Sequence, residues 1–96
     1  FIAKQSGFFA AVDGVIICSE NVKHRPMAEA AAAAGKWILC EKPLATTIAD
    51  AKAIISACKK AKVGLGTAFP CRFAAPLMAL KNQFDSGALG QVYAMS

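Results

Sequence analysis

The sequence predicts an α/β fold built on a parallel sheet. Short apolar runs bounded by glycine and proline recur at residues 15–18, 37–40 and 63–69, the lengths expected of strands buried in a sheet. Between them lie a stretch of strong helix formers at 27–34 and an apolar stripe at helical spacing, Ile48, Ala51, Ile54, Ile55, Cys58 and Ala61. Strand–helix–strand alternation with short connections implies right-handed crossovers and a parallel sheet with helices packed on it.

Residues 1–11 are weakly patterned and read as the tail of a preceding helix. Asp13-Gly14 marks a turn, and the β-branched run Val15-Ile16-Ile17 with Cys18 reads as a buried strand. Ser19-Glu20-Asn21 forms the loop after it. Pro26 suits the first turn of a helix, where its missing N–H costs nothing, and Gly35 is placed as that helix's C-terminal cap. The strand Trp37-Ile38-Leu39-Cys40 follows, with Glu41 and Lys42 at its carboxyl end and Pro43 stopping it. Thr47 with Asp50 three residues on is a capping box with an acid variant. Gly64-Leu65-Gly66 is a strand glycine pair, because Phe69 stands where a phosphate-binding turn needs its third glycine and no helix starts there. A third helix is expected at 76–85, then a further strand at 91–96.

Composition narrows the function. No run of about 18 uninterrupted apolar residues occurs, which argues against a membrane span, and the start shows no secretory pattern. Net charge is +5, but the basic residues are scattered, and Lys59, Lys60 and Lys62 fall at a helix end where cations favour the dipole. Nucleic acid is therefore not the expected partner; a basic surface also serves a phosphate-bearing cofactor. Cys18, Cys40, Cys58 and Cys71 show no C-x-x-C spacing and no metal-site partner beyond His24, so free buried thiols in a reducing, cytoplasmic compartment are expected. The first residue is Phe1 and Ser96 falls inside an expected strand, so both ends read as cut. Hydrophobic residues make up 56% of the chain, and other parts of a longer chain are expected to cover some of that surface.

A parallel sheet sends the loops after its strands to one edge, where ligands of open α/β sheets bind. That edge receives residues 19–24, 41–43 and 70–72. Lys42 can donate up to three hydrogen bonds and stabilise an alkoxide developing during hydride transfer; the bland alternative is a surface ion pair with Glu41. The Lys42–Pro43 bond is a candidate for the cis form. His24 either contacts a ligand or shuttles a proton, or else packs at a helix start. Ser19 and Asn21 are hydrogen-bonding loop residues. Arg72 clamps a carboxylate, phosphate or ribose, or forms an interdomain salt bridge. Trp37 reads as packing within its strand.

The run Asp13-Gly14-Val15-Ile16-Ile17, then His24, Ala33-Ala34-Gly35-Lys36 and Cys40-Glu41-Lys42-Pro43-Leu44-Ala45, resembles the Gfo/Idh/MocA oxidoreductases. These are the glucose–fructose oxidoreductase, inositol dehydrogenase and dihydrodiol dehydrogenase family. The resemblance continues through Arg72-Phe73, Pro76, Leu80-Lys81 and Ser86-Gly87-Ala88-Leu89-Gly90.

The resemblance implies the second half of a parallel Rossmann-type NAD(P)-binding sheet running into an α/β substrate domain. Residues 1–70 would complete the dinucleotide-binding domain, and 71–96 would open the substrate and oligomerisation domain. The implied enzyme moves hydride between NAD or NADP and a sugar, inositol or related polyol, as a homo-oligomer at full length. Ser19, Asn21 and His24 would lie beside the cofactor, and Glu41, Lys42 and Pro43 at the nicotinamide ribose. Lys42 would also reach the reacting oxygen, and Arg72 would sit near the domain junction. Glu20 departs from the family's usual Thr-Pro-Asn loop by standing in place of proline. The glycine-rich turn, the residue that selects NAD over NADP and the later catalytic histidine are not in these 96 residues, so the chain reads as the middle of such an enzyme. A catalytically inactive nucleotide-sensing or scaffold relative is the alternative.

Overall fold

The computed structural model describes residues 7–94. Three parallel strands, β1 (Gly14–Ile17), β2 (Trp37–Glu41) and β3 (Leu65–Ala68), lie side by side in chain order. Helix α1 (His24–Ala33) connects the first two and α2 (Ile48–Ala61) the second two. This β-α-β-α-β unit has the topology of half a doubly wound α/β sheet.

Register explains which side chains meet. Gly14 pairs with Trp37 and Ile17 with Cys40, while Ile38 pairs with Leu65 and Glu41 with Ala68. Alternation then puts Val15, Ile17, Ile38, Cys40 and Leu65 on one face, and Ile16, Trp37, Leu39 and Gly66 on the other. The first face carries the core. Ile17, Ile38 and Cys40 join Ala28, Ala31 and Ala32 of α1 and Ile54 and Cys58 of α2 in one buried cluster. Ala28, Ala31 and Ala32 are at most 1% exposed, and their small side chains let α2 lie close against α1. Of the thiols expected to be buried, Cys40 and Cys58 are, while Cys18 and Cys71 are exposed because they lie past the ends of β1 and β3. Burial pushes the Cys40 and Cys58 thiols above their ordinary range, with the neighbouring Cys18 and Glu41 adding to the effect at Cys40.

The opposite face is open. Ile16 is 71% exposed and Trp37 68%, which corrects the expectation of strands buried on both sides. Their sequences do carry apolar residues on both faces, as parallel strands do when helices cover the two, but α1 and α2 cover one. Trp37 lies across Gly64, where an added Cβ would collide with the indole ring. Close approach of that ring therefore requires glycine at 64, and the Gly64-Gly66 pair is a strand feature as the spacing implied.

The helix ends follow their sequence signals. Gly35 has φ of +72°, its N–H bonds Ala32 O at 2.9 Å and the Lys36 N–H bonds Ala31 O at 3.0 Å, closing α1 in a Schellman turn. Gly35→Ala, forced into the left-handed region, is expected to lower stability by about 1–2 kcal/mol, measured as a shift in the urea midpoint. Lys62, at φ 56°, closes α2 in the same way without glycine, its N–H and that of Val63 reaching Lys59 O and Cys58 O. At the start of α2 the Asp50 N–H donates to Thr47 Oγ1 at 3.1 Å, while the Thr47 hydroxyl donates back to the Asp50 carboxylate at 2.8 Å.

The second Asp50 oxygen accepts from Arg25 of α1 at 2.9 Å, and Arg25 also pairs with Glu29. The guanidinium, helped by the Thr47 hydroxyl, holds the Asp50 carboxyl below the usual carboxylate range. A carboxylate with a lowered folded-state pKa stabilises the fold above its unfolded value and loses that contribution as pH falls through the folded one. Asp50→Asn is therefore expected to be destabilising by a constant amount above about pH 5, with the gap to wild type closing towards acid. Thermal melts of both proteins across pH check this; a gap independent of pH would contradict it.

Helix α1 starts at His24, which puts Pro26 inside its first turn as expected, where its missing N–H costs nothing. Other boundaries differ from expectation. Residues 1–6 and 95–96 lie outside the described residues; Phe8–Ala11 form a 3-10 turn, not the end of an α-helix. The strand expected at 91–96 is not formed over 91–94, since no described strand lies beside it to complete a ladder. Helix α3 (Ala75–Asp85) forms close to where it was expected, and the 3-10 turn Pro70–Phe73 precedes it. Every residue from 75 to 91 is exposed, so α3 does not pack on the sheet.

Candidate functional site

The loops after the three strands leave the sheet at its carboxyl edge, as a parallel arrangement requires. Ser19 and Asn21 lie just past β1, with Asn21 opening the 3-10 turn Asn21–Lys23 that leads into α1. Glu41 is the last residue of β2, and Lys42 and Pro43 form the turn after it, with the peptide bond between them cis. Arg72 sits in the turn after β3. All the residues singled out from the sequence are thus on one edge.

What ties the first two loops together is His24. It has no exposed surface and is the one buried polar side chain among the described residues. Its Nδ1 lies 3.1 Å from Pro43 O and 3.3 Å from Leu44 O, and its Nε2 lies 3.1 Å from Ser19 O. The ring therefore spans the gap between the β1 loop and the β2 turn. Of the two sequence readings, this geometry is that of a histidine packed at a helix start, with chain carbonyls for partners.

Glu41 and Lys42 do not pair with each other. One Glu41 carboxylate oxygen accepts the Lys42 backbone N–H at 2.7 Å, while the exposed Lys42 ammonium makes no ion pair or hydrogen bond among the described residues. The expected alternative of a Glu41–Lys42 ion pair is not what forms, because the carboxylate turns back onto its neighbour's main chain. The edge thus presents a carboxylate oxygen with free acceptor capacity beside an ammonium with free donors. A vicinal diol, such as a ribose, needs that combination of acceptor and donor.

Glu20, the departure in the first loop, pairs with Lys23 at 2.9 Å, so its charge is partly compensated. The Ser19 hydroxyl makes only a long contact to Glu20 O at 3.4 Å, and the Asn21 side chain is exposed. Arg72 lies over the Phe69 ring at 5.7 Å and has no carboxylate partner among the described residues. The partners of His24 were missed from the sequence: backbone carbonyls carry no residue-type signal. Among the described residues no cluster of histidine, cysteine and carboxylate side chains could hold a metal ion.

Residues 3–69 match the oxidoreductase family with an NAD-binding Rossmann fold, Gfo/Idh/MocA. The chain belongs to this family. It is 41% identical over 80 residues to the 1,5-anhydro-D-fructose reductase of Ensifer adhaerens, covering 83% of this chain and 24% of that protein. The myo-inositol 2-dehydrogenase of Thermotoga maritima is 37% identical over 84 residues, covering 88% of this chain and 25% of its own length. Among solved structures, an oxidoreductase from Agrobacterium radiobacter in complex with NAD+, L-tartaric acid and magnesium superimposes with a TM-score of 0.81 at 34% identity, covering 88% of this chain and 25% of that one. The chain thus spans about a quarter of the length of the relatives it matches.

Proposed function

We propose that this chain supplies the nicotinamide side of the active site in an NAD(P)-dependent oxidoreductase acting on a sugar, inositol or related polyol. The observation that carries the reading is the carboxyl edge of the sheet, where Glu41 and the unpaired Lys42 stand beside the loop that holds Ser19 and Asn21. The Agrobacterium relative with NAD+ bound and the inositol and anhydrofructose enzymes support the cofactor and substrate classes.

In this reading the free Glu41 carboxylate oxygen accepts a ribose hydroxyl and the Lys42 ammonium donates to the same diol. Lys42 would also reach the substrate oxygen, orient it and stabilise the negative charge that develops there as the hydroxyl proton leaves. Ser19 and Asn21 line the cofactor's flank, Pro43 shapes the turn and Arg72 closes the nicotinamide end. Nicotinamide, when bound, supplies the hydride acceptor or donor.

Residues 1–70 then complete the dinucleotide-binding domain, and residues 71–96 open the substrate and oligomerisation domain of a homo-oligomer. The end of sheet packing at Pro70 supports that division, as does the end of the family match at 69. No helix among the described residues is long and apolar enough to cross a membrane, and a cytoplasmic enzyme with free thiols fits the reading.

The test is a panel of inositols, aldoses and anhydrosugars offered to the intact protein with NAD and NADP, following nicotinamide absorbance. Turnover of at least one polyol is expected. Tight cofactor binding without turnover on any of them would favour a nucleotide sensor instead.

A further inference from the structure

We infer that His24 is a positioning residue that sets the place of Lys42 by clamping the β2 turn to the β1 loop. The inference deepens the proposed reading and rests on it for the role of Lys42. An imidazole buried without hydrogen bonds is costly, and an apolar side chain would fill the same space with no such cost. What a histidine adds here is a ring nitrogen facing the carbonyls of each loop. Ser19 O, Pro43 O and Leu44 O are all acceptors and cannot bond to one another, so a donor must stand between them. A neutral ring donates from one nitrogen, and a ring protonated on both donates at each end.

The partners are separated along the chain, Ser19 five residues before His24 and Pro43 nineteen after it. Neither loop shares a backbone hydrogen bond with the other outside the strands, so the ring is the polar link between them. Pro43 adjoins Lys42, and a shift of the Pro43 carbonyl moves the lysine with it. His24 itself, with no exposed surface, cannot touch substrate or cofactor. Misplacing a reacting group by about 1 Å can cost about 100-fold in rate, so a residue with no access to the chemistry still governs it.

The experiment uses the intact protein with His24→Phe, which keeps a ring and drops both nitrogens, and His24→Gln, which keeps a side-chain amide. For each, kcat and KM per cofactor-binding site and the Kd for NADH are measured beside wild type. His24→Phe is expected to lower kcat by up to about 100-fold with the NADH Kd near wild type, and His24→Gln to fall between. Unchanged kcat per binding site with only a lower Tm would overturn the inference, as would a weakened NADH Kd with kcat intact, which would make His24 a cofactor contact. Should His24→Phe fail to fold, His24→Gln decides by the same criteria. A wild type that binds neither cofactor would sink the reading of the edge rather than the clamp. The clamp is then judged from crystal structures of wild type and His24→Gln: a displaced Lys42–Pro43 turn upholds it, and an unmoved one overturns it.

Discussion

Lys42→Ala in the intact protein is expected to lower kcat by about 100- to 1,000-fold, the usual cost of removing one donor aimed at developing oxyanion charge. The expectation follows from the state of the side chain. Lys42 is exposed at the carboxyl edge, and among the described residues no carboxylate engages its ammonium. Its donors are available to a ligand, and no partner among the described residues is left bare when it is removed. The loss should therefore fall on turnover, with the melting temperature close to wild type. Lys42→Arg keeps the charge but spreads it over a planar fork, and it should recover only part of the rate. Steady-state kinetics beside thermal melts separate these effects. A Lys42→Ala enzyme with wild-type kcat would remove Lys42 from the chemistry.

Ile54→Ala is expected to destabilise the fold by about 2–5 kcal/mol, the range for emptying a buried aliphatic site. Ile54 has no exposed surface and sits in a core of few members, between Ala28, Ala31 and Ala32 of α1 and Ile38 and Cys40 of β2. Those alanines are too small to collapse into the space left. Against a typical total of about 5–15 kcal/mol, that loss is large. Ile55 is the internal control. It belongs to the same apolar stripe in sequence but is 39% exposed, and Ile55→Ala should cost much less. Urea midpoints at an unchanged m-value measure both; equal costs at the two positions would contradict the packing described.

The contrast between Ile54 and Ile55 shows where sequence reading stops. Periodicity located α2 and its apolar side, yet it could not say which isoleucine meets the core, because that depends on how the helix is rotated against α1. Signals that act within a few residues were legible, the Thr47 cap and the Gly35 turn among them, and so was the gathering of Ser19, Asn21, Glu41, Lys42 and Arg72 at one edge by parallel topology; the approach of Trp37 to Gly64 was not. What depends on distant partners was not. Trp37 and Ile16 are exposed because no helix among the described residues covers their face of the sheet, and residues 91–94 form no strand because no described strand lies alongside them. The bonding of His24 to Ser19, Pro43 and Leu44 was equally hidden, since main-chain carbonyls are common to every residue type.

The central claim, that the carboxyl edge of this sheet holds a nicotinamide cofactor, is tested most directly by titrating the intact protein with NADH and NADPH and following cofactor fluorescence. The account predicts saturable binding of at least one of them, weakened when Glu41 is replaced by alanine, since its carboxylate is the acceptor offered to the ribose. Absence of saturable binding of either cofactor would contradict it.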